Sequence, residues 1–136
     1  MKIYSSEDLS FLIEKAKNSQ IKRSHLNLHS HYDEKVQRLF IALIKGSYVS
    51  PHYHALPHQW EMFIIISGTV KVLHYSNEGI ISSEILVGDG QPIKVIEFSP
   101  GNIHSVECIS ETALMLEIKE GPYIEQYSKT LFEVKK

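Results

Sequence analysis

Eight histidines occur in the 136 residues, and two of them, His52 and His54, flank a single tyrosine, with Glu61 and His104 following. Alternate residues of a β-strand share a face, so these two imidazoles sit on Cα atoms about 7 Å apart and can lean onto one ion at about 2.0 to 2.1 Å. Tyr53 then faces away. Glu61 shares one face of the apolar stretch 60–66 with Phe63 and Ile65, and a carboxylate among such neighbours is costly unless it meets a cation. We therefore expect His52, His54, Glu61 and His104 to hold one divalent metal ion. Nitrogen and carboxylate donors suit Zn, Fe, Ni or Mn alike.

The elements that must bring these residues together are legible from the punctuation. From Gln37 onward, runs of Ile, Val, Leu, Phe and Tyr alternate with Lys45-Gly46, Ser67-Gly68, Asn77-Glu78-Gly79, Gly88-Asp89-Gly90 and Pro100-Gly101-Asn102. A turn about every ten residues is the rhythm of an antiparallel sandwich or barrel, and we count about eight strands. Pro51 and Pro57 bracket the histidine pair, which predicts a strand ending at a rim, where coordination stays open to solvent. His104 is expected on a strand from the opposite side of the barrel. Cys108, four residues beyond His104, lies too far along an extended strand to reach the same ion and reads as buried packing.

Before the strands, Ser5 and Asp8 form a capping-box pattern, and Leu9, Leu12, Ile13 and Ala16 recur at helical spacing. This stripe predicts one short helix whose apolar face packs on the core or on a second copy. The polar stretch 18–35 reads as an ordered arm. Gly121-Pro122 ends the last strand, and the residues beyond Tyr123 lie along the barrel or exchange with a partner. The expectation is an all-β fold in one domain: helix and arm at 1–35, barrel at 36–120, tail at 121–136.

Composition narrows the partners. With 14 Lys+Arg against 16 Asp+Glu, there is no basic excess to neutralise phosphates along a duplex, so nucleic acid is not expected. No apolar run is long enough to span a bilayer and the N-terminus turns acidic where a signal peptide needs its apolar core, so no membrane partner is expected. A single cysteine precludes an internal disulfide framework and suits a reducing compartment, here the cytoplasm.

The interval pattern Gly46, His52-x-His54, Glu61, Gly68 resembles the first motif of the cupins, and His104 after Pro100-Gly101 resembles their second. The gap of six residues between His54 and Glu61 is longer than the usual three or four, and Cys108 replaces the closing asparagine. A closer resemblance is to the WbuC family of cupin-fold metalloproteins, carried by Asn27-Leu28-His29, Val36-Gln37-Arg38-Leu39, the stretch 46–54, Trp60-Glu61 and the stretch 117–123. His25 stands where that family's arm carries asparagine. The resemblance implies a small cupin, a double-stranded β-helix or jelly-roll barrel, binding a metal, commonly dimeric and associated with O-antigen and related surface polysaccharides.

Only two arginines occur, Arg23 and Arg38, both in or beside the arm and first strand. Arginine grips carboxylate or phosphate with two parallel hydrogen bonds. A nucleotide-sugar or acidic-sugar ligand held by Arg23 and Arg38, with Asn27, His29 and Gln37 adding hydrogen bonds, is the expectation. His58 reads as a group near the metal loop, His74 as a satisfied strand side chain, and Tyr48, Trp60 and Phe63 as core or pocket wall. Three functions fit: an enzyme using the metal as Lewis acid, with His29 or Glu61 moving a proton; an Fe(II)-dependent oxygenase; and a non-catalytic cupin that senses or carries a sugar or small acid. A storage or structural cupin is less suited to so short a chain.

Overall fold

The strand Val36–Ile44 shows why this chain folds as it does. Gln37, Leu39, Ile41 and Leu43 point inward, while Phe40 and Ala42 on the other face are also buried. Both faces are covered, so the strand reads as a continuous apolar run rather than an alternation.

The computed structural model describes residues 1–134. Helix α1 (Ser6–Lys17) is followed by β1 (Arg23–Asn27), β2 (Val36–Ile44), β3 (Tyr48–Tyr53), β4 (Glu61–Ser67), β5 (Thr69–Tyr75), β6 (Ile81–Gly88), β7 (Val95–Phe98), β8 (Ile103–Cys108) and β9 (Thr112–Glu120). A short 3-10 turn, Glu125–Tyr127, leads into β10 (Thr130–Leu131). The strands form two five-stranded sheets, β1-β2-β9-β4-β7 and β10-β3-β8-β5-β6. Every pairing is antiparallel.

The eight strands expected after the arm are β2 to β9. The arm contributes one more, β1, because its polar residues alternate with Ser24 and Leu26, which turn toward the helix. The tail lies along its own barrel: β10 pairs Leu131 with His52 and Thr130 with Tyr53.

Between the sheets lies a core that includes Leu39, Ile41, Phe63, Val72, Val106, Cys108 and Met115. Cys108 is buried there, as its role in packing required. Helix α1 closes the outer face of β2 and β9 with Leu12 and Ala16 against Phe40, Ala42 and Leu114, so its stripe serves the chain's own core. The Ser5–Asp8 capping box is formed in both directions. Gly68, between β4 and β5, has a φ of +77°, and a Cβ there would collide with the carbonyl of Thr112. That glycine ends the strand carrying Glu61 and lets the chain reverse. Among the described residues no helix is long and apolar enough to cross a membrane.

Candidate metal centre

Three strands and one loop bring the four expected ligands together. His52 lies on β3 just after a register shift between Val49 and His52, and His54 follows one residue past the strand's end. His104, on β8, stands directly opposite His52 in the ladder. The third imidazole therefore comes from the neighbouring strand of the same sheet and not from across the barrel. Glu61, the first residue of β4, supplies the ligand from the opposite sheet.

One ligand atom from each of His52, His54, Glu61 and His104 lies within 4.8 Å of the others. Bonds of about 2.0 to 2.2 Å place ligand atoms at most roughly 4.4 Å apart, so a small inward movement seats an ion. His104 is fully buried, and Glu61 is 3% exposed. The ring of Phe98 stacks on that of His104 with centroids 3.7 Å apart.

The hydrogen bonds around the rings identify the free nitrogens. His52 Nδ1 lies 2.9 Å from the Ser50 carbonyl oxygen, His104 Nδ1 2.9 Å from that of Asn102, and His54 Nδ1 2.6 Å from that of Ser128. A carbonyl oxygen only accepts, so each Nδ1 carries the hydrogen and each neutral ring keeps its lone pair on Nε2. Those lone pairs face the carboxylate: Nε2 of His104 is 2.8 Å and Nε2 of His54 3.2 Å from Glu61 Oε1. His54 Nε2 is buried with no hydrogen-bond partner. Acceptors turned toward one another need a cation between them, a proton or a metal ion.

Protons alone satisfy the cluster unevenly. Burial, followed by the charge of His104, pushes His52 down to about 4. Burial also works against ionising Glu61, but a proton shared with His104 and His54, standing in for the ion between these acceptors, outweighs it and holds the carboxyl well below the usual range. For His54, burial opposes the charge, and the nearby Glu61 carboxylate outweighs it and raises its affinity for a proton. The donor set and its orientation fit a divalent ion bound through three Nε2 atoms and one carboxylate oxygen.

Beside the quartet opens a cavity of about 470 Å³, with Leu39, Ile41, Leu43, Val49, Phe63, Val106 and Met115 among its walls. Of the expected ligand contacts, Arg23, Asn27, His29 and Gln37 line it. Arg38 does not. It stands one residue out of phase with Gln37 and Leu39 on β2, on the outer face, 3.9 Å from Glu34. His29 Nδ1 is engaged by the Arg38 backbone, 3.0 Å from its nitrogen. Gln37 Nε2 donates to the carbonyl of Glu34 at 2.7 Å, fixing the turn before β2, while its Oε1 is buried without a partner.

Other expectations separate cleanly. His74 Nδ1 meets Ser82 Oγ at 2.8 Å, whereas Tyr48 is 50% exposed and belongs to neither core nor pocket. His58 does not line the cavity. Among the lining residues that went unread in the sequence are Glu117 and Lys119, 3.5 Å apart on β9. Burial and then the charge of Glu61 raise the Glu117 carboxyl to about 8. The alternation of Glu117 with Ile118 and Lys119 beside interior Met115 was the available signal.

A family model described as "Domain of unknown function (DUF6016)" matches residues 4–87. No curated protein matches the sequence. Among solved structures, the chain is similar to an uncharacterized conserved protein with a double-stranded β-helix domain from Klebsiella pneumoniae, at 16% identity over 98% of each chain, with a TM-score of 0.65. It is similar to a cupin superfamily protein from Desulfitobacterium hafniense at 17% identity, over 72% of this chain and 76% of that one, with a TM-score of 0.55. CapF in complex with the inhibitor 3-isopropenyl-tropolone gives a TM-score of 0.69 at 18% identity, over 86% of this chain and 33% of CapF. These likenesses establish the fold as that of the cupins, the double-stranded β-helix.

Proposed function

The chain belongs to the DUF6016 family, and we propose that it is a metal-dependent cupin acting on a small anionic or sugar-like molecule. The observation that carries this reading is the acceptor-only centre: three Nε2 atoms and the Glu61 carboxylate converge with every Nδ1 already bonded to a carbonyl. A divalent ion there supplies Lewis-acid polarisation of a ligand carbonyl or hydroxyl.

The remaining work falls to the cavity. Arg23 and Lys119 attract an anion, Asn27 and His29 offer hydrogen bonds to hydroxyls, and the Gln37 Oε1 accepts one. The apolar wall excludes water from the ligand's other face. Glu117, buried beside Glu61, is the side chain placed to give or take a proton at the ligand. Its position makes it a better candidate for that task than Glu61, which the ion engages.

Resemblance to the WbuC family supports a place in surface polysaccharide biosynthesis, in the cytoplasm and as a homodimer. The test is calorimetric binding of acidic sugars and sugar nucleotides to protein loaded with Zn(II), Ni(II), Mn(II) or anaerobic Fe(II), against metal-stripped protein. Binding and turnover that require metal support the enzyme, and metal-dependent binding with no chemical change in the ligand identifies a carrier or sensor. Affinity that ignores the metal contradicts the proposal.

A further inference from the structure

β1 inverts the pattern of a barrel strand. Its outward residues meet the helix side: Ser24 Oγ donates to the Leu12 carbonyl at 2.7 Å, and Leu26 packs against the Phe40 and Leu12 cluster. Its other face, with Arg23 half-buried and His25 and Asn27 exposed, lines the cavity together with His29 beyond the strand's end. The row is polar throughout, and the same cavity has Val49, Val106 and Met115 in its wall.

The register gives the row a direction. Asn27 pairs with Leu39 and Arg23 with Leu43, while Gln37 pairs with Lys119, which in turn pairs with Glu61. The His29 end of the row therefore lies at the metal centre. The Arg23 guanidinium reaches the Tyr48 carbonyl, four residues before His52 on β3, about 13 Å by strand geometry.

Arg23 is half-buried and has no carboxylate within ion-pair distance among the described residues. Its one hydrogen bond is a long one, Nη1 to the Tyr48 carbonyl at 3.4 Å. A guanidinium withdrawn from water without a counter-charge is costly. The cavity's acids, Glu61 and Glu117, belong to the metal end. Burial, then the charges of Arg23 and Lys119, disfavours the protonated form of His25, which marks the field along the row as positive.

We infer that the cavity takes an elongated anion, with metal-binding oxygens at the histidine end and a carboxylate or phosphate held by Arg23 at the other, the β1 row reading the body between. This rests on the quartet being a metal centre and adds the ligand's length and its remote acid.

The test uses full-length protein loaded with Co(II), whose visible spectrum reports the centre directly. Two matched pairs differ only in a remote acid: gluconate against 6-phosphogluconate, and nonanoate against azelate. In at least one pair the remote acid is expected to tighten binding about tenfold or more, as a charge-assisted bidentate contact does. Arg23→Gln is expected to bring the pair within about twofold while the Co(II) spectrum of the ligand-free protein stays unchanged. The phosphate and carboxylate pairs distinguish the two acids. Absence of stoichiometric Co(II) sinks the metal reading itself. Bound Co(II) with no advantage for either remote acid, or an advantage that survives in Arg23→Gln, overturns the inference alone.

Discussion

Removing the tail after Tyr127 should weaken metal binding although no ligand is touched. Two of the three histidines are oriented locally, by carbonyls two residues before each of them, Ser50 for His52 and Asn102 for His104. His54 is oriented from 74 residues away, by the Ser128 carbonyl at 2.6 Å. Without that acceptor, the ring of His54 loses the partner that fixes its tautomer and angle, and Nε2 is no longer held toward Glu61. Loss of such an orienting partner costs about 10- to 100-fold in metal affinity, or roughly 1.4 to 2.7 kcal/mol. The truncation also removes the β10 pairing with His52 and Tyr53 and the Phe132 bond to the Pro51 carbonyl, so the upper figure is the better guide. The assay is competition for Zn(II) against a calibrated chelator, with circular dichroism to confirm that the barrel is intact. A folded, truncated protein with wild-type affinity would refute the claim that the tail orients His54.

Further outcomes follow from the same geometry. Arg38→Ala should leave ligand affinity within about twofold, because its side chain faces away from the cavity; a larger loss by calorimetry would return Arg38 to the pocket. In metal-stripped protein, the His52 affinity for protons, lowered to about 4 from 6.5, gives stability that is fully present above pH 6.5 and is lost as pH falls toward 4. Urea unfolding should show wild type losing roughly 2 to 3 kcal/mol more than His52→Gln between pH 7.5 and 4.5, and equal losses would contradict the burial argument. Glu117, raised to about 8, acts with opposite sign, its contribution present below 4.5 and lost as pH rises through 8, so Glu117→Gln should flatten the alkaline fall in melting temperature. Leu12→Ala, at a buried contact with β2, should cost roughly 2 to 5 kcal/mol of stability without changing metal stoichiometry.

Much of the site was legible because a strand's alternation carries direction. His52, His54 and the inward phase of Glu61 with Phe63 and Ile65 could be read without knowing how the sheets meet, and the long gap before Glu61 did not prevent convergence. What failed was information held in tertiary contacts. His104 pairs with His52 in one ladder, a pairing that no local pattern distinguishes from one across the barrel. Arg38 was drawn toward the pocket by its residue type, although its phase against Leu39 and Ile41 pointed outward. The strand in the arm was hidden because Arg23, His25 and Asn27 make its cavity face as polar as a loop. Glu117 and Lys119 resembled an exposed charged strand end until β4 was laid against them. Ser128 acts through its backbone carbonyl, and a backbone carbonyl leaves no trace in residue type.

X-ray absorption on protein reconstituted with Zn(II), paired with elemental analysis, is the decisive measurement. One ion per chain is expected, bound by three imidazole nitrogens and a carboxylate oxygen, with His104→Gln losing one nitrogen from that shell. Zinc below stoichiometry in correctly folded protein, or a first shell that His104→Gln leaves intact, would contradict it.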